Sequence, residues 1–262
     1  MTDLATKNTA ELTGFFRDLI SSNNEEGDIG IASFREVFDN LLPVQQDKLR
    51  ELTGDHFHEY HISGSIVSIA ISYKDPIIDY IDSRTGQQPD YRLWNEYALE
   101  YDRINQVLNK MARSIAERYG GIPLTATIGG IVGDVHHVHD YFGMVISHRA
   151  IAEHAGIGWR GKNQLIIHEK YSCAIRFASV IVSIPLRQSS PMESKCGDCT
   201  ACEDACTFIR HRDVLKDYRE NCRRYIVFLM SKGIEKDICG KCIKACYRSS
   251  AFRNQFSLPQ AR

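Results

Sequence analysis

Cysteine is the residue type whose spacing in this chain points most directly to chemistry. Eight of the nine cysteines lie between positions 196 and 246 of 262 residues. In chain order they form a C-x2-C-x2-C-x3-C run, one isolated cysteine and a C-x2-C-x3-C run: Cys196, Cys199, Cys202, Cys206, Cys222, Cys239, Cys242 and Cys246. Disulfides explain this pattern poorly, because the number of cysteines is odd, the spacing is tight and we expect a reducing compartment. Metal ligation is the better explanation.

The first run has the spacing of bacterial ferredoxins, in which three thiolates hold one cubane cluster and the fourth holds a second. Eight thiolates are the number that two [4Fe–4S] clusters require, whereas a structural zinc ion, the alternative, takes only four ligands. We expect one cluster to be held by Cys196, Cys199, Cys202 and Cys246, and the other by Cys206, Cys222, Cys239 and Cys242. The ninth cysteine, Cys173, is predicted to be a buried structural thiol rather than a ligand.

Composition and charge narrow the class of protein. With 43% hydrophobic and 25% charged residues, the chain has the proportions of a soluble globular protein. It contains no apolar run long enough to cross a membrane and no signal-peptide pattern, so we expect a cytoplasmic protein with no membrane partner. Positions 207–262 carry 13 Lys and Arg against 5 Asp and Glu. This basic segment either offsets the negative charge of the clusters or attracts nucleic acid or an anionic protein.

The elements that must position these residues are predicted from periodicity and turn signals. Residues 1–60 are predicted to be helical and 66–73 to form a buried strand, followed by a surface loop over 75–91. The remaining predictions are a helix over 95–119, a strand running into a loop over 123–132, a short helix over 148–155, a strand pair from 165–167 and 175–184, and a polar linker over 185–194. The pattern predicts an α+β fold with two domains, 1–188 and 189–262.

A glycine-rich stretch, Gly156-Ile157-Gly158-Trp159-Arg160-Gly161-Lys162-Asn163, is the most specific motif of the first domain. It is not a dinucleotide-binding fingerprint, because a predicted helix precedes it and a predicted strand follows it. Nor is it a Walker phosphate-binding loop. The glycines indicate either a tight turn or a loop that lies close to a cofactor.

Together with the eight cysteines at their spacing, the stretch AEHAGIGWRGKNQLII resembles the epoxyqueuosine reductases, which are cobalamin-dependent iron–sulfur enzymes related to reductive dehalogenases. The resemblance runs from about Tyr73 to Cys246. It implies a nitroreductase-like, corrinoid-binding domain over 1–188 and a ferredoxin-like double [4Fe–4S] module over 189–262. It further implies reduced ferredoxin or flavodoxin as the electron donor. The cofactor-binding residues that it implies are Gly156, Gly158, Trp159, Gly161 and Lys162.

One departure from the family pattern concerns the proton donor. Members that act on tRNA carry D-x-x-P-x-x-E before the glycine-rich stretch, and this chain has at those three positions Phe142, Val145 and His148. The nearby candidates for a donor are Asp140, Tyr141 and His139, since reductive cleavage leaves an anion that must be protonated. Four histidines crowd this segment and, with Asp140, indicate a metal site, a proton relay or simply a polar loop: His136, His137, His139 and His148.

The resemblance implies an oxidoreductase that delivers electrons through two [4Fe–4S] clusters to a corrinoid, which reduces the substrate. The chain ends at Arg262 without the C-terminal helical repeats that many tRNA-acting members carry, so we expect a divergent short member. Its substrate is left open between a modified tRNA nucleoside and an unknown small molecule. The alternative function is an electron-transfer protein that uses the two clusters to reduce a partner protein, with the basic module as its docking face.

Overall fold

The structure is a computed structural model that describes residues 2–127 and 135–256. Its strands are β1 (Gly27–Ser33), β2 (Ser65–Ser72), β3 (Arg84–Thr85), β4 (Gln88–Pro89), β5 (Ile122–Leu124), β6 (Trp159–Arg160), β7 (Ile166–Ile167) and β8 (Ile175–Val182). Its helices are α1 (Thr2–Ser22), α2 (Phe34–Asp39), α3 (Pro43–Thr53), α4 (Phe57–Ser63), α5 (Asp75–Asp79), α6 (Tyr91–Tyr119), α7 (Val138–Met144), α8 (His148–His154), α9 (Ala201–Ala205), α10 (Thr207–Arg210), α11 (Tyr218–Ser231), α12 (Lys241–Arg248) and α13 (Ser250–Phe256). Within these described ranges, no helix is long and apolar enough to span a bilayer.

The largest sheet has four antiparallel strands in the order β1–β2–β8–β5. The two central strands, β2 and β8, run from Ser65 opposite Val182 to Ser72 opposite Ile175. Every residue of β2 is buried. A strand that is covered on both faces needs apolar or small residues at nearly every position. The two central strands meet this need except at Arg176.

Helices cover both faces of this sheet and give a three-layer arrangement. On one side, α1 and α6 pack on the face that carries Val67, Ile69 and Ile71 of β2. On the other side, α2, α4 and α8 pack around Ile66 and Ala70. The mixed α+β architecture predicted from the sequence is confirmed.

The first 60 residues are not uniformly helical, so that prediction is wrong over Gly27–Ser33. These residues form the edge strand β1, which pairs with β2. A side chain at Gly27 would lie 1.9 Å from the carbonyl oxygen of Ala70, so only glycine allows the two strands to approach here. The pairing joins segments far apart in the chain, and local periodicity therefore misses it.

The predicted strand pair from 165–167 and 175–184 is also wrong as a pair, although each segment contains a strand. β7 pairs instead with β6, and β8 pairs with β2 and β5 in the large sheet. Between β7 and β8 the chain turns sharply at His168 and Ser172, which form an isolated bridge. Ser172 has a φ of 52° in this turn. The turn directs β8 away from β7 and into the sheet.

The helix predicted over 95–119 is confirmed and begins earlier, at Tyr91. Its start is fixed by the Asp90 carboxylate, which accepts a hydrogen bond from the backbone N–H of Leu93 at 3.0 Å. It ends at Gly120, whose φ of 66° lies in the left-handed region that glycine adopts without strain.

Of three other segments, the predicted surface loop is wrong in part, and the other two contain the predicted kind of structure at least in part. The predicted loop over 75–91 includes the short helix α5 and the β3–β4 hairpin. The prediction over 123–132 overlaps β5, and its last part falls in 128–134, outside the described residues. The short helix predicted over 148–155 is confirmed as α8.

The predicted linker over 185–194 contains no helix or strand and lies along the first strand. The backbone N–H of Ser189 donates to the carbonyl oxygen of Ile31 at 2.8 Å, and the Ser189 hydroxyl accepts from the N–H of Ile31 at 3.2 Å. The linker is therefore held against the sheet. The division into domains 1–188 and 189–262 stays a prediction.

His148, at the start of α8, is a polar residue in the core. Its Nε2 lies 2.8 Å from the carbonyl oxygen of Thr125, and its Nδ1 lies 3.0 Å from the Ser179 hydroxyl. The ring therefore donates through Nε2 and accepts through Nδ1, which is the pattern of a neutral imidazole. Burial lowers the pKa of His148 to about 4.

We expect the protein to lose stability in mild acid because of His148. The unfolded chain takes up this proton near the ordinary pKa of 6.5 and the folded chain only near 4, so the free energy of unfolding falls as the pH drops through that window. Between about pH 7 and pH 5 the loss is on the order of 2 kcal/mol. Chemical denaturation at both pH values measures it. The variant His148→Gln should lose this part of the pH dependence, and His58→Gln, at an exposed histidine, should retain it.

Candidate functional site

Four cysteines converge between α9 and α12. Cys196 and Cys199 precede α9, Cys202 lies within it, and Cys246 comes from α12. All four line one cavity of about 390 Å³. Burial first, and then the neighbouring Cys246 thiol, raises the pKa of Cys202 to about 11. Cys196 and Cys199 raise it further. We call these residues the first cysteine group.

A second set of four cysteines lies beside the first. It comprises Cys206 before α10, Cys222 on α11, Cys239 before α12 and Cys242 on α12. Burial raises the pKa of Cys239 to about 12, the backbone N–H of Lys241 opposes the shift, and the Cys222 and Cys206 thiols add to it. Burial followed by these three thiols also raises the pKa of Cys242. We call this set the second cysteine group.

The two groups have the membership expected from the sequence, and each draws on both cysteine runs. Cys206 ends the first run but lies with the second group, and Cys246 ends the second run but lies with the first. Packing of α9 on α12 brings the runs together. Ligation of [4Fe–4S] clusters by these groups stays a prediction.

The turn before β8 reaches the first cysteine group at Cys246. The Ser172 hydroxyl donates to Cys246 Sγ at 3.1 Å. The Cys173 thiol, through a hydrogen bond, has the largest effect on the pKa of Cys246 and lowers it to about 7, although burial opposes this shift. Cys173 is buried, and Nδ2 of Asn163 donates to its Sγ at 3.4 Å. The ninth cysteine is thus buried, as predicted, but it lies against the first group.

The glycines of the glycine-rich stretch make room for protein. A side chain at Gly158 would lie 2.2 Å from the carbonyl oxygen of Ile167, and one at Gly161 would lie 2.7 Å from the Ile167 side chain. Gly156 has a φ of 66°, and a side chain there would lie 2.5 Å from the carbonyl oxygen of Ser190. These glycines allow the β6–β7 hairpin and the linker to pack closely. Corrinoid contact at these glycines stays a prediction, which this packing does not favour.

Trp159 and Lys162, from the same stretch, face the first cysteine group. Both line its cavity, and Lys162 Nζ donates to the carbonyl oxygen of Cys199 at 3.0 Å. Arg160, between them, forms an ion pair with Glu153 of α8. The stretch therefore joins α8 to the first group and places an ammonium beside its thiols.

The structure separates the three candidate proton donors. The Asp140 carboxylate accepts from the backbone N–H groups of His136 at 3.2 Å and His137 at 2.8 Å, and so it caps α7. His139 is exposed, and its ring stacks on that of His137 with centroids 4.9 Å apart. Asp140 therefore has a structural role, and His139 lies on the surface.

His137, His139 and Asp217 bring possible metal ligands together. Nε2 of His137 lies 3.1 Å, and Nε2 of His139 3.8 Å, from Oδ2 of Asp217. Nδ1 of His137 accepts from the backbone N–H of His139 at 3.3 Å, so its Nε2 carries the proton and donates to Asp217. The arrangement is a hydrogen-bonded contact between α7 and α11. His148 lies apart in the core, so the four histidines do not form one site.

Tyr141 lies on the side of α7 that approaches the sheet. Burial first, and then Tyr101, raises its pKa to about 12, while the guanidinium groups of Arg176 and Arg149 oppose the shift. A phenol with this pKa keeps its proton at neutral pH and can give it to a stronger base. Of the three candidates, Tyr141 alone has a partly enclosed polar environment.

Three curated proteins that are similar to this chain share one name. The epoxyqueuosine reductase of Bacillus anthracis is 28% identical over 194 residues, which cover 68% of this chain and 47% of that protein. That of Listeria monocytogenes is 27% identical over 144 residues, or 54% of this chain and 34% of that protein. That of Bacillus subtilis is 44% identical over 61 residues, or 23% and 16%. The chain is therefore similar to the epoxyqueuosine reductases. It spans about half, or less, of the length of these relatives.

Solved structures of epoxyqueuosine reductases are also similar to the chain. A selenomethionine-labelled one has a TM-score of 0.49 and 20% identity, covering 94% of this chain and 67% of its own. One with an epoxyqueuosine-modified tRNA-Tyr stem loop has a TM-score of 0.41 and 22% identity, covering 76% of this chain and 53% of its own. No family model matches the chain.

One residue beside Tyr141 was not singled out from the sequence. Arg176 of β8 faces α6, in a row otherwise formed by Ala174, Ala178, Val180 and Val182. The signal available in the sequence was a lone charge within the apolar run IRFASVIV. The surroundings of Arg176 are formed by residues from other elements, and the sequence does not show that these residues lie near it.

The face of α6 that meets Arg176 also contacts the second cysteine group. Nε1 of Trp94 donates to the carbonyl oxygen of Cys239 at 2.9 Å. Gly240 has a φ of 83°, and a side chain there would lie 2.7 Å from the ring of Tyr97. Gly240 is therefore a point of close approach between the turn that carries Cys239 and helix α6.

We expect Gly240→Ala to lower the free energy of unfolding by on the order of 3 kcal/mol, through backbone strain and overpacking against Tyr97. Gly233→Ala is the matched control, because Gly233 has a φ of 101° with no atom near the added carbon. Its loss should be about 1–2 kcal/mol from strain alone. Chemical denaturation of both variants measures the difference, and equal losses would show that the contact with Tyr97 does not constrain the fold.

Proposed function

We propose that this chain is an iron–sulfur oxidoreductase of the epoxyqueuosine reductase type, in which each cysteine group holds one [4Fe–4S] cluster. The observation that carries the proposal is the sorting of eight thiols into two groups of four, since four thiolates are what each cluster requires. In this proposal a ferredoxin-like module over 189–262 receives electrons from reduced ferredoxin or flavodoxin. It passes them to the first domain at the α6 contact.

The surroundings of the thiols suit clusters that each carry a net charge of about −2. Lys162 and Lys195 line the cavity of the first group, where their ammonium groups would offset this charge. The Ser172 hydroxyl already donates to Cys246 Sγ. Hydrogen bonds to ligand sulfurs are one of the determinants of a cluster's reduction potential, so Ser172 would tune the first cluster.

A corrinoid and a nitroreductase-like first domain are part of the proposal through the family resemblance. When bound, a corrinoid supplies the centre that reduces the substrate. The glycine-rich stretch does not fit that role in this chain, because protein occupies the space beside Gly156, Gly158 and Gly161. The proton transfer from Tyr141 therefore needs only residues of this chain, and the cobalt content of the reconstituted protein tests whether a corrinoid binds.

Tyr141 is the proposed proton donor. Two-electron reduction of an electrophilic substrate leaves a carbanion or an alkoxide, which takes a proton from the Tyr141 hydroxyl. Arg176 and Arg149 oppose the rise in its pKa, so they stabilise the phenolate that remains. The phenolate regains its proton from solvent. Asp140 supports this arrangement only by capping α7.

The name shared by the relatives supports a modified tRNA nucleoside as the substrate, with reduction of its epoxide consuming two electrons and two protons. An unknown small molecule is the other substrate class. Either class requires the clusters and the proton donor. Experiments on metal content therefore come before the search for a substrate.

We expect anaerobic reconstitution with iron, sulfide and hydroxocobalamin, followed by desalting, to give about eight irons per chain, and the cobalt count of the same sample decides whether a corrinoid is bound. Cys196→Ala and Cys222→Ala, one from each group, should each lower the iron to about four. Cys173→Ala is the matched control and should keep about eight. Eight irons with no cobalt would contradict the corrinoid mechanism and favour an electron-transfer protein. Iron below four in the wild type would contradict both.

Turnover of an epoxyqueuosine-modified tRNA stem loop, followed by nucleoside analysis, tests the donor. We expect Tyr141→Phe to lower the rate by about 10²-fold or more, because it removes only the acidic hydrogen. Asp140→Asn, which retains an oxygen to cap α7, should change the rate by less than about threefold. A larger loss in Asp140→Asn than in Tyr141→Phe would reverse the assignment. No turnover by fully loaded wild type would contradict the tRNA substrate.

A further inference from the structure

Arg176 is a charged side chain in the middle of an apolar core face. On β8 it stands opposite Ile71 of β2, and its neighbours along the same row are Ala174 and Ala178. The residue is only partly exposed. A charge at such a position costs free energy unless an opposite charge or several hydrogen bonds compensate it.

The contacts that Arg176 makes are with neutral groups. Nε donates to Oδ1 of Asn105 at 3.1 Å, and Nη2 donates to the carbonyl oxygen of Thr127 at 3.3 Å. The guanidinium carbon lies 4.2 Å from the centre of the Tyr101 ring. No carboxylate among the described residues forms an ion pair with it. Since a guanidinium has five N–H groups, three are left by these described contacts to bind a ligand.

Two buried tyrosine hydroxyls lie close to this guanidinium. Tyr73 lies two residues after Ile71, just beyond the end of β2, and its backbone N–H donates to the carbonyl oxygen of Ala174 at 2.9 Å, so it is the diagonal neighbour of Arg176. Its ring packs against that of Tyr97, with centroids 5.0 Å apart. The two residues are 3% and 0% exposed, and neither hydroxyl makes a well-formed hydrogen bond to any described residue. The two hydroxyls approach each other, but neither has a well-formed partner. Buried tyrosine hydroxyls normally have one, so this pair beside a lone cation indicates a ligand.

We propose that Arg176, with the hydroxyls of Tyr73 and Tyr97, binds the carboxylate or phosphate group of a small anionic substrate. The inference rests on the proposed function, because it puts the anion beside Tyr141, the proposed proton donor. Tyr97 also lies against Gly240, and Gly240 stands in the chain between Cys239 and Cys242 of the second cysteine group. The substrate would therefore lie beside the group from which, in the proposed function, electrons leave the ferredoxin-like module. Charge-assisted hydrogen bonds are roughly twice as strong as neutral ones and would supply most of the affinity.

The rival role for Arg176 is to neutralise a cluster in the second group without touching substrate. The two roles differ in their consequences. Removal of a counterion would change the reduction potential of the cluster and leave the affinity for anions unchanged. Removal of a substrate-binding guanidinium would weaken anion binding whether or not the potential changes.

The test uses reconstituted protein of counted iron content and 4-fluorobenzoate as the probe, because its carboxylate suits the guanidinium and its fluorine gives a direct NMR signal. Titration followed by fluorine NMR gives the dissociation constant, with 4-fluorobenzyl alcohol as the neutral analogue and inorganic phosphate as the competitor. We expect the carboxylate to bind at least about tenfold more tightly than the alcohol. Displacement by phosphate at lower concentration than the benzoate would indicate a phosphorylated substrate rather than a carboxylate.

Variants assign the binding to these residues. Arg176→Gln should weaken 4-fluorobenzoate binding at least about tenfold, whereas Arg176→Lys, which keeps the charge, should weaken it less. Tyr73→Phe should weaken it a few-fold. Arg160→Gln, at an arginine already paired with Glu153, should have no effect.

Two results would overturn the inference: no binding of either anion by the wild type, or equal affinity in the wild type and Arg176→Gln. If Arg176→Gln does not fold, Tyr73→Phe decides, and unchanged affinity there overturns the inference. The iron count separates this outcome from failure of the proposed function. Eight irons without anion binding would overturn the anion site alone, and anion binding without iron would overturn the cluster proposal alone.

Discussion

One stripe of helix α6 must satisfy two different partners, and the rest of the structure is arranged around that constraint. Trp94 and Tyr97 on this stripe contact the turn at Cys239 and Gly240, while Asn105, two turns further along, binds Arg176 of the central strand. A single helix therefore links the turn at Cys239 and Gly240 to the central strand β8. If α6 moved to follow the turn at Cys239 and Gly240, its contact with Arg176 would break, and if it moved to follow Arg176, its contacts with the turn would break.

The sequence predicts what depends on local pattern and fails where distant segments decide. The membership of the two cysteine groups follows from ferredoxin-like spacing, and α6 follows from its apolar period and the glycine at its end. The strand over Gly27–Ser33 and the partners of β7 and β8 depend on pairing between remote segments, which local signals do not encode. Arg176 could be noticed as a lone charge, but its surroundings come from three separate elements.

The glycine-rich stretch shows how one motif permits two physical explanations. Small residues at these positions are compatible with a cofactor or with close packing of protein, and the sequence does not distinguish them. In the structure, the Ile167 backbone and the linker fill the space, while Trp159 and Lys162 point to the first cysteine group. The motif thus connects helix α8 to the first cysteine group.

The order of the cysteines along the chain nests one group inside the other. Cys206 to Cys242 are enclosed between Cys202 and Cys246, so assembly of the second group brings the ends of a long loop together. Once that loop is closed, only the few residues between Cys202 and Cys206 and between Cys242 and Cys246 separate the remaining thiols. The entropy of closing the outer loop then falls by roughly 1–2 kcal/mol. The saving is the same whichever group closes first, so the nesting makes closure of either group lower the entropic cost of closing the other.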